Sequence, residues 1–344
     1  MSGRRIVVVG ASAGGVEGLI ALARSLPVDL PAAVFMVLHI PAHASSVLPQ
    51  LLNRQQRLPA VHAVDGEVLR QGRIYVAPAD HHVLVHGDKV RLGRGPSENG
   101  HRPAIDPLFR SVAHWHGPAV VGVVLSGSLD DGTAGLLAIK MAGGVTVVQD
   151  PADALYPSMP QSALDNVDID HVAPLANLGS LITKLVHNPV EIESSAMTPR
   201  LQAAYEEAIL AEKGPSAVSE LVNRGAPSVF ACPDCHGVLW EVSEGDLVRY
   251  RCRVGHAYLP QSLSAAMSGR VEEALWLALR ALRESSALCL RMADRAARRN
   301  MTSLATTYEA RKRDSDDRAK VLEEVLKAGH VNVEIPAHSS GSGE

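Results

Sequence analysis

Cysteine is scarce in this chain, four in 344 residues, and three of the four fall between Cys232 and Cys252. That excludes a disulfide framework and fits a reducing compartment better. Aromatic residues make up only 3%, which leaves the core to Val, Leu, Ile and Ala. No apolar run approaches the ~20 residues of a membrane helix, so no membrane insertion is expected. The formal net charge of −4 lacks the basic excess that draws nucleic acid, and no nucleic-acid partner is expected. The start imitates a signal peptide, with Arg4-Arg5, an apolar run and Ala11-Ser12-Ala13. The run Ile6 to Val9 is nevertheless far shorter than an apolar core of about 7 to 15 residues. Cytoplasmic residence is the expectation.

Two or more domains are expected, since domains run about 100 to 200 residues. Up to about Val186, strand-like and helix-like segments alternate. Strands are predicted at Ile6, Ala32 to Leu38, Val120 to Leu125 and Val145 to Gln149. Helices are predicted at Val16 to Ser25, Ser46 to Gln55, Leu108 to His114 and Thr133 to Met141. Short strands near Val61, Ile74, Val83 and Val90 read as an insertion in this α/β domain. The proline-interrupted, polar stretch Asn188 to Arg200 reads as a linker, followed by a short helix Pro199 to Lys213. Beyond Arg270, Leu275, Leu279, Leu282, Cys289 and Ala293 recur on one helical face, as do Leu304, Tyr308, Leu322 and Leu326 later. Two helices folded back around Arg299 to Thr302 would bury both stripes, with Cys289 in their core. The expected division is a catalytic domain over 1–187, a linker over 188–227, a metal module over 228–260, a helical hairpin over 261–329 and a disordered tail over 330–344.

Three strand ends carry chemistry. Ser12 follows the buried strand at Ile6 in the turn Gly10-Ala11-Ser12-Ala13-Gly14-Gly15, His39 ends the second strand, and Asp130-Asp131-Gly132 follow the strand at Val120. If these strands are parallel, a nucleophile, a base and an orienting carboxylate converge on one rim of the sheet. Backbone amides at the start of the helix after Ser12 would face developing negative charge. The competing reading is a dinucleotide turn, with Gly10, Ser12 and Gly15 at the G-x-G-x-x-G spacing. That reading needs an acidic residue at the end of the second strand, where this chain has His39.

Residues Arg5 to about Val186 resemble the catalytic domain of the chemotaxis protein-glutamate methylesterases, the CheB type. The resemblance lies in Gly10 to Gly15, Leu38-His39-Ile40-Pro41, Ile74 to His82, His101-Arg102-Pro103-Ala104-Ile105-Asp106-Pro107-Leu108-Phe109, Leu125-Ser126-Gly127 through Asp131-Gly132, and Ser158-Met159-Pro160. It implies a doubly wound parallel sheet, with Ser12 as nucleophile, His39 as base, Asp131 as its orienter and no cofactor for catalysis. It also implies hydrolysis of glutamyl methyl esters on a chemoreceptor-like or other signalling protein, with glutamine deamidation as a second activity. Ser128 stands where the family pattern has a methionine lining the site, and Arg102 and Asp106 are expected to contact substrate. The family's usual chain begins with a receiver domain, here expected to be replaced by a separate regulatory protein.

After the linker, Cys232-Pro233-Asp234-Cys235 and Cys252-Arg253-Val254-Gly255-His256 give four ligands suited to tetrahedral Zn²⁺ in a closed, structural site, a zinc ribbon. A redox pair at Cys232 and Cys235 and His236 as fourth ligand are the alternatives. Arg249, Arg251 and Arg253 read as a solvated strand edge. On this reading, removing the metal leaves the esterase active. The alternative to an enzyme is a signalling adaptor that binds partners through the zinc and helical region.

Overall fold

Four β-branched residues in a row, Ile6 to Val9, have no polar face to offer water, so the strand they form must be covered on both sides. A computed structural model, which describes residues 5–188, 199–213, 225–244 and 247–328, shows how. The elements run β1 (Arg5–Ala11), α1 (Gly15–Ser25), β2 (Ala32–Leu38), α2 (Leu48–Asn53), β3 (Ala60–His62), β4 (Arg73–Val76), β5 (His82–His86) and β6 (Lys89–Gly93). They continue with α3 (Ile105–His116), β7 (Val120–Val124), α4 (Thr133–Met141), β8 (Val145–Gln149), α5 (Ser158–Asn166), β9 (His171–Ala173) and α6 (Leu175–His187). Seven strands form one parallel sheet in the order β3-β4-β2-β1-β7-β8-β9. Ile6 and Val8 face one core with Leu108 and Phe109 of α3, while Val7 and Val9 face the other with Leu19 and Leu22 of α1 and Leu178 of α6. Strand order reverses beside β1, so the carboxyl ends of β2, β1 and β7 open on the crevice where such sheets bind ligands.

The predicted insertion is smaller than its sequence pattern implied. β3 and β4 belong to the main sheet, and only β5 and β6 stand apart as an antiparallel hairpin. Helix α3 starts at Ile105 and not at Leu108, because Pro107 is tolerated in a first turn whose amides need no intrahelical partner.

The expected linker needs correction as well. Helix α7 (Pro199–Lys213) lays Leu201 and Ala204 into the core beside α3, Ala208 and Ala211 against Leu84, and the Tyr205 ring on His114 at 3.5 Å. Residues 189–198 and 214–224 of the expected linker, and the expected tail over 330–344, lie outside the described residues.

A four-stranded antiparallel sheet follows, β10 (Ala226–Ala231), β11 (Val238–Glu244), β12 (Leu247–Cys252) and β13 (Ala257–Tyr258). It packs on the catalytic domain, with Leu247 and Leu259 against Ala134 of α4. The boundaries expected at 187 and 260 therefore do not separate units: residues up to Ser264 form one compact unit, and those from Ala265 a second.

The second unit is the antiparallel pair α8 (Pro260–Arg298, from Ala265 onward) and α9 (Thr302–Ala328). Asn300 turns the chain in the left-handed region at φ 59°. The seam is narrow and closed by small residues, Ala293, Ala296, Ala305, Ser315 and Ala319, with Leu279. Cys289 is only half-buried and Leu304 is exposed, contrary to the expected stripes, because two helices share a single line of contact.

Candidate active site and metal cluster

Ser12 follows the last residue of β1, and its own amide donates to Ser126 O at 3.1 Å. Gly14 enters α1 in the left-handed region at φ 68°, a conformation that lets the chain turn within two residues and leaves the Ser12 side chain at the cleft. The amides of Ala13 and Gly14, ahead of an 11-residue helix, have no protein acceptor among the described residues. They sit where an oxyanion would be held.

His39 lies one residue past β2. Its Nε2 donates to Asp131 Oδ2 at 2.7 Å and its Nδ1 accepts the Ser12 hydroxyl at 3.0 Å. The tautomer follows from the partner, since a carboxylate only accepts and so draws the ring proton to Nε2. The three residues expected to act together are thus in one hydrogen-bonded chain.

Asp131 is 2% exposed and accepts from five donors. His39 Nε2 and the Ile105 amide, both at 2.7 Å, share Oδ2, while Asn99 Nδ2 at 2.9 Å and the amides of Gly132 and Asp106 at 3.0 and 3.3 Å share Oδ1. Ile105 and Asp106 are the first residues of α3, so the carboxylate also sits at a helix N-terminus. Burial alone would raise its pKa, but the His39 contact and the Ile105 and Asn99 donors outweigh it and hold the carboxyl well below the usual range.

Asp106 was expected to touch substrate and does not. It is fully buried behind Asp131, accepting from Gly135 N at 2.7 Å and Asn99 Nδ2 at 3.1 Å. Burial, then the charge of Asp131, pushes its pKa up to about 8. Of the two adjacent carboxyls, the surroundings favour the charge on Asp131 and the proton on Asp106. Because the folded value lies above the ordinary 3.8, the stability tied to that proton is fully present below 3.8 and is lost as the pH climbs through 8. Unfolding free energy is therefore expected to fall with rising pH over that range, by up to about 1.4 kcal/mol per pH unit, and Asp106→Asn to flatten the slope. Denaturant titrations at several pH values check this; equal slopes in both proteins would remove the proton from Asp106.

Ser12 and His39 open into a cleft of about 660 Å³ walled by Pro41, Asp80, Ser97, His101, Arg102 and His256, among others. Arg102 is on this wall, but its guanidinium is held by Asp80 through Nε at 2.9 Å and by Gly95 O at 2.8 Å. Ser128 is exposed on the loop after β7 and is not among the cleft-lining residues, so the position expected to line the site does not. Two neighbours to which the sequence reading gives no role do matter. His101 stacks on His39 with ring centroids 3.7 Å apart, and Asn99 bridges Asp131 and Asp106. His101 opens the family-like segment His101 to Phe109, and the sequence signal for Asn99 is the turn pair Asn99-Gly100.

Cys232, Cys235, Cys252 and His256 bring their ligand atoms within 4.8 Å of one another. Cys235 and Cys252 sulfurs are 3.6 Å apart, and His256 Nδ1 is 3.5 and 3.7 Å from the sulfurs of Cys252 and Cys232. A tetrahedron with Zn–S bonds of roughly 2.3 Å has edges of about 3.8 Å, so the donor set and its spacing fit that ion. His256, not His236, completes the cluster. Arg249 and Arg251 are 3% exposed, not a solvated edge, and point with Arg110 to buried Glu98.

Comparison with known proteins gives these features a context. The family described as CheB methylesterase matches residues 7–182. The chain is 38% identical over 185 residues to protein-glutamate methylesterase/protein-glutamine glutaminase 1 of Xanthomonas euvesicatoria, covering 53% of this chain and 51% of that protein. It is 35% identical over 191 residues to the corresponding enzyme 2 of Methanosarcina mazei, covering 53% of this chain and 52% of that protein. The crystal structure of the CheB methylesterase catalytic domain of Thermotoga maritima superposes with a TM-score of 0.51 at 29% identity, covering 53% of this chain and 99% of that one. The chain spans about half the length of the curated relatives it matches.

Proposed function

The chain belongs to the CheB methylesterase family, and from that premise we propose that it is a serine esterase acting in the cytoplasm on γ-methyl esters of glutamyl residues in a chemoreceptor-like or other signalling protein. The observation that carries this reading is the unbroken hydrogen-bond chain Ser12–His39–Asp131 at the floor of the cleft. Ser12 Oγ attacks the ester carbonyl as His39 Nδ1 takes its proton, and Asp131 stabilises the imidazolium formed. The amides of Ala13 and Gly14 receive the oxyanion. Collapse breaks the C–O bond, and His39 returns the proton to the departing methoxide. Methanol leaves a Ser12 acyl ester, which water, deprotonated by His39, hydrolyses to the glutamyl carboxylate. A glutamine side chain would follow the same path with ammonia as the leaving group, which is the deamidase activity.

The Cys232, Cys235, Cys252 and His256 cluster, with Cys232 and Cys252 buried and the other two half-buried, serves as a structural zinc site with a full set of four protein ligands and no part in bond breaking. One zinc per chain is expected in elemental analysis.

A peptide bearing a glutamyl methyl ester is expected to release one methanol for each carboxylate formed, and a serine-directed phosphonate to add to Ser12. A folded chain that does neither is a binding protein and not an esterase. Arg102, fixed by Asp80 on the cleft wall, meets the peptide beyond the reacting ester in this reading. Arg102→Ala is expected to raise KM for the peptide several-fold while changing hydrolysis of a small activated ester little, since only the peptide reaches that wall. Equal losses on both substrates would assign Arg102 to the scaffold.

A further inference from the structure

The segment Glu98 to His101 is a tight turn closed by reciprocal backbone bonds, Glu98 N to His101 O at 3.1 Å and His101 N to Glu98 O at 2.9 Å. Asn99 at φ 52° and Gly100 at φ 78° make its tip. Besides the α3 amides of Ile105 and Asp106, two residues support the catalytic chain from outside the three strand ends, and both sit on this turn: Asn99 holds Asp131 Oδ1, and His101 lies flat on the His39 ring.

The turn has little sheet to hold it. From the side away from α3 it is clamped by the cysteine module. The Asn99 amide donates to Ala257 O at 2.7 Å, Asn99 Oδ1 accepts the Leu259 amide at 2.9 Å, and the Ser97 hydroxyl donates to Asp234 at 2.6 Å. Glu98 is 1% exposed, with Arg249 and Arg251 of β12 closing on it from the module side and Arg110 from α3. Ala257 follows the ligand His256 directly, Asp234 lies between the ligands Cys232 and Cys235, and Arg251 precedes the ligand Cys252. Every clamp that the module supplies is thus within three residues of a cluster ligand, and four flexible ligands without a shared ion have no covalent reason to stay together.

Resting on the esterase reading, we propose that metal bound by Cys232, Cys235, Cys252 and His256 sets the turnover rate by holding the Glu98–His101 turn, with Asn99 as the positioning residue for Asp131 and His101 for the His39 ring. The metal touches no reacting atom. It fixes the hydrogen bond that orients the carboxylate, which orients the imidazole. This reverses the expectation that the esterase is indifferent to metal removal, because that expectation took the module for a separate domain.

The test uses the full chain, loaded with one Zn²⁺ or stripped by a chelator, with a small activated ester that is too short to need the cleft walls. Stripping is expected to lower kcat about 10-fold or more with KM nearly unchanged, to slow phosphonate labelling of Ser12 in parallel, and to be reversed by added Zn²⁺. Asn99→Ala is expected to keep its zinc, lose kcat to a similar extent, and respond much less to stripping, since the two changes cut the same connection. Full kcat in the stripped chain, or a rise in KM alone, would overturn the proposal and reduce the module to a wall of the cleft. A strong further loss on stripping Asn99→Ala would equally overturn the route through Asn99. If the zinc-loaded wild type neither hydrolyses the ester nor takes up phosphonate, the esterase reading itself fails, which is a separate result from an active enzyme indifferent to metal.

Discussion

Replacing Ser12 with alanine is expected to lower ester hydrolysis by about 10⁶-fold, the scale on which serine triads fail when the nucleophile goes. The remaining groups cannot take its place. His39 Nδ1 keeps its lone pair and Asp131 keeps its grip on Nε2, but no oxygen stands within reach of the carbonyl except that of an unpositioned water. The fold should be untouched, because the Ser12 side chain is only partly buried and its one side-chain bond among the described residues is to His39. Its backbone bond to Ser126 O survives the substitution. Denaturation should therefore shift by no more than about 0.5 kcal/mol, as for a surface change. Methanol release, phosphonate mass shift and a melting curve check the three parts. Residual activity near the wild-type level would place the nucleophile elsewhere.

Asp131→Asn is expected to cost about 10⁴-fold in kcat, through the tautomer of His39. Both carboxylate oxygens of Asp131 face donors only: the His39 ring and the Ile105 amide on one side, Asn99, Gly132 and Asp106 amide or amino groups on the other. An asparagine must turn its NH₂ toward one of these sets. Turned to His39, it requires an acceptor at Nε2 and so moves the ring proton to Nδ1, where Ser12 needs a base. Turned to Asn99, it sets amino group against amino group and leaves a buried donor unmet, at about 1 to 3 kcal/mol of stability. Asp130→Asn provides the control. Asp130 accepts from the amides of Gln261 and Ser262 and the Ser262 hydroxyl at the start of α8, and makes no contact with His39. Its loss should cost about 0.5 to 2 kcal/mol as a helix cap, with kcat kept within a few-fold. A larger activity loss at Asp130 than at Asp131 would reverse these assignments.

Much of this site was legible before any coordinates. Four β-branched residues followed by a small-residue turn place Ser12 at a sheet edge whatever the partners are, and parallel strands ending in His39 and Asp131 bring the other two groups to the same rim. The segment His101 to Phe109 is also visible in sequence as meaningful, but its part in holding Asp131 is not. Arg102 and Asp106 have the side chains that chemistry notices, whereas Ile105 and Asp106 contribute mainly through backbone amides, which look alike in every residue type. The cysteine–histidine cluster announced itself by its spacing, while its attachment to Glu98 did not. Arg249 and Arg251 alternate as an exposed edge would, and only a buried acid more than a hundred residues away turns that alternation inward.

By itself, the amino-acid order determined the α/β class, the sheet edge that carries Ser12, His39 and Asp131, the four side chains of the cysteine–histidine cluster, and the helical pair at the end. Those features depend on local periodicity, on turn chemistry and on short spacings, which a chain carries wherever it goes. Tertiary structure alone decided that Asp106 is buried behind Asp131, that α7 belongs to the core, and that the cysteine module leans on the turn that holds Asp131. Each of these depends on a hydrogen bond or an ion pair between segments far apart in the chain, such as Asn99 with Asp131 and Leu259. Burial and neighbouring charge, the two quantities that set what such groups do, exist only once those segments have met.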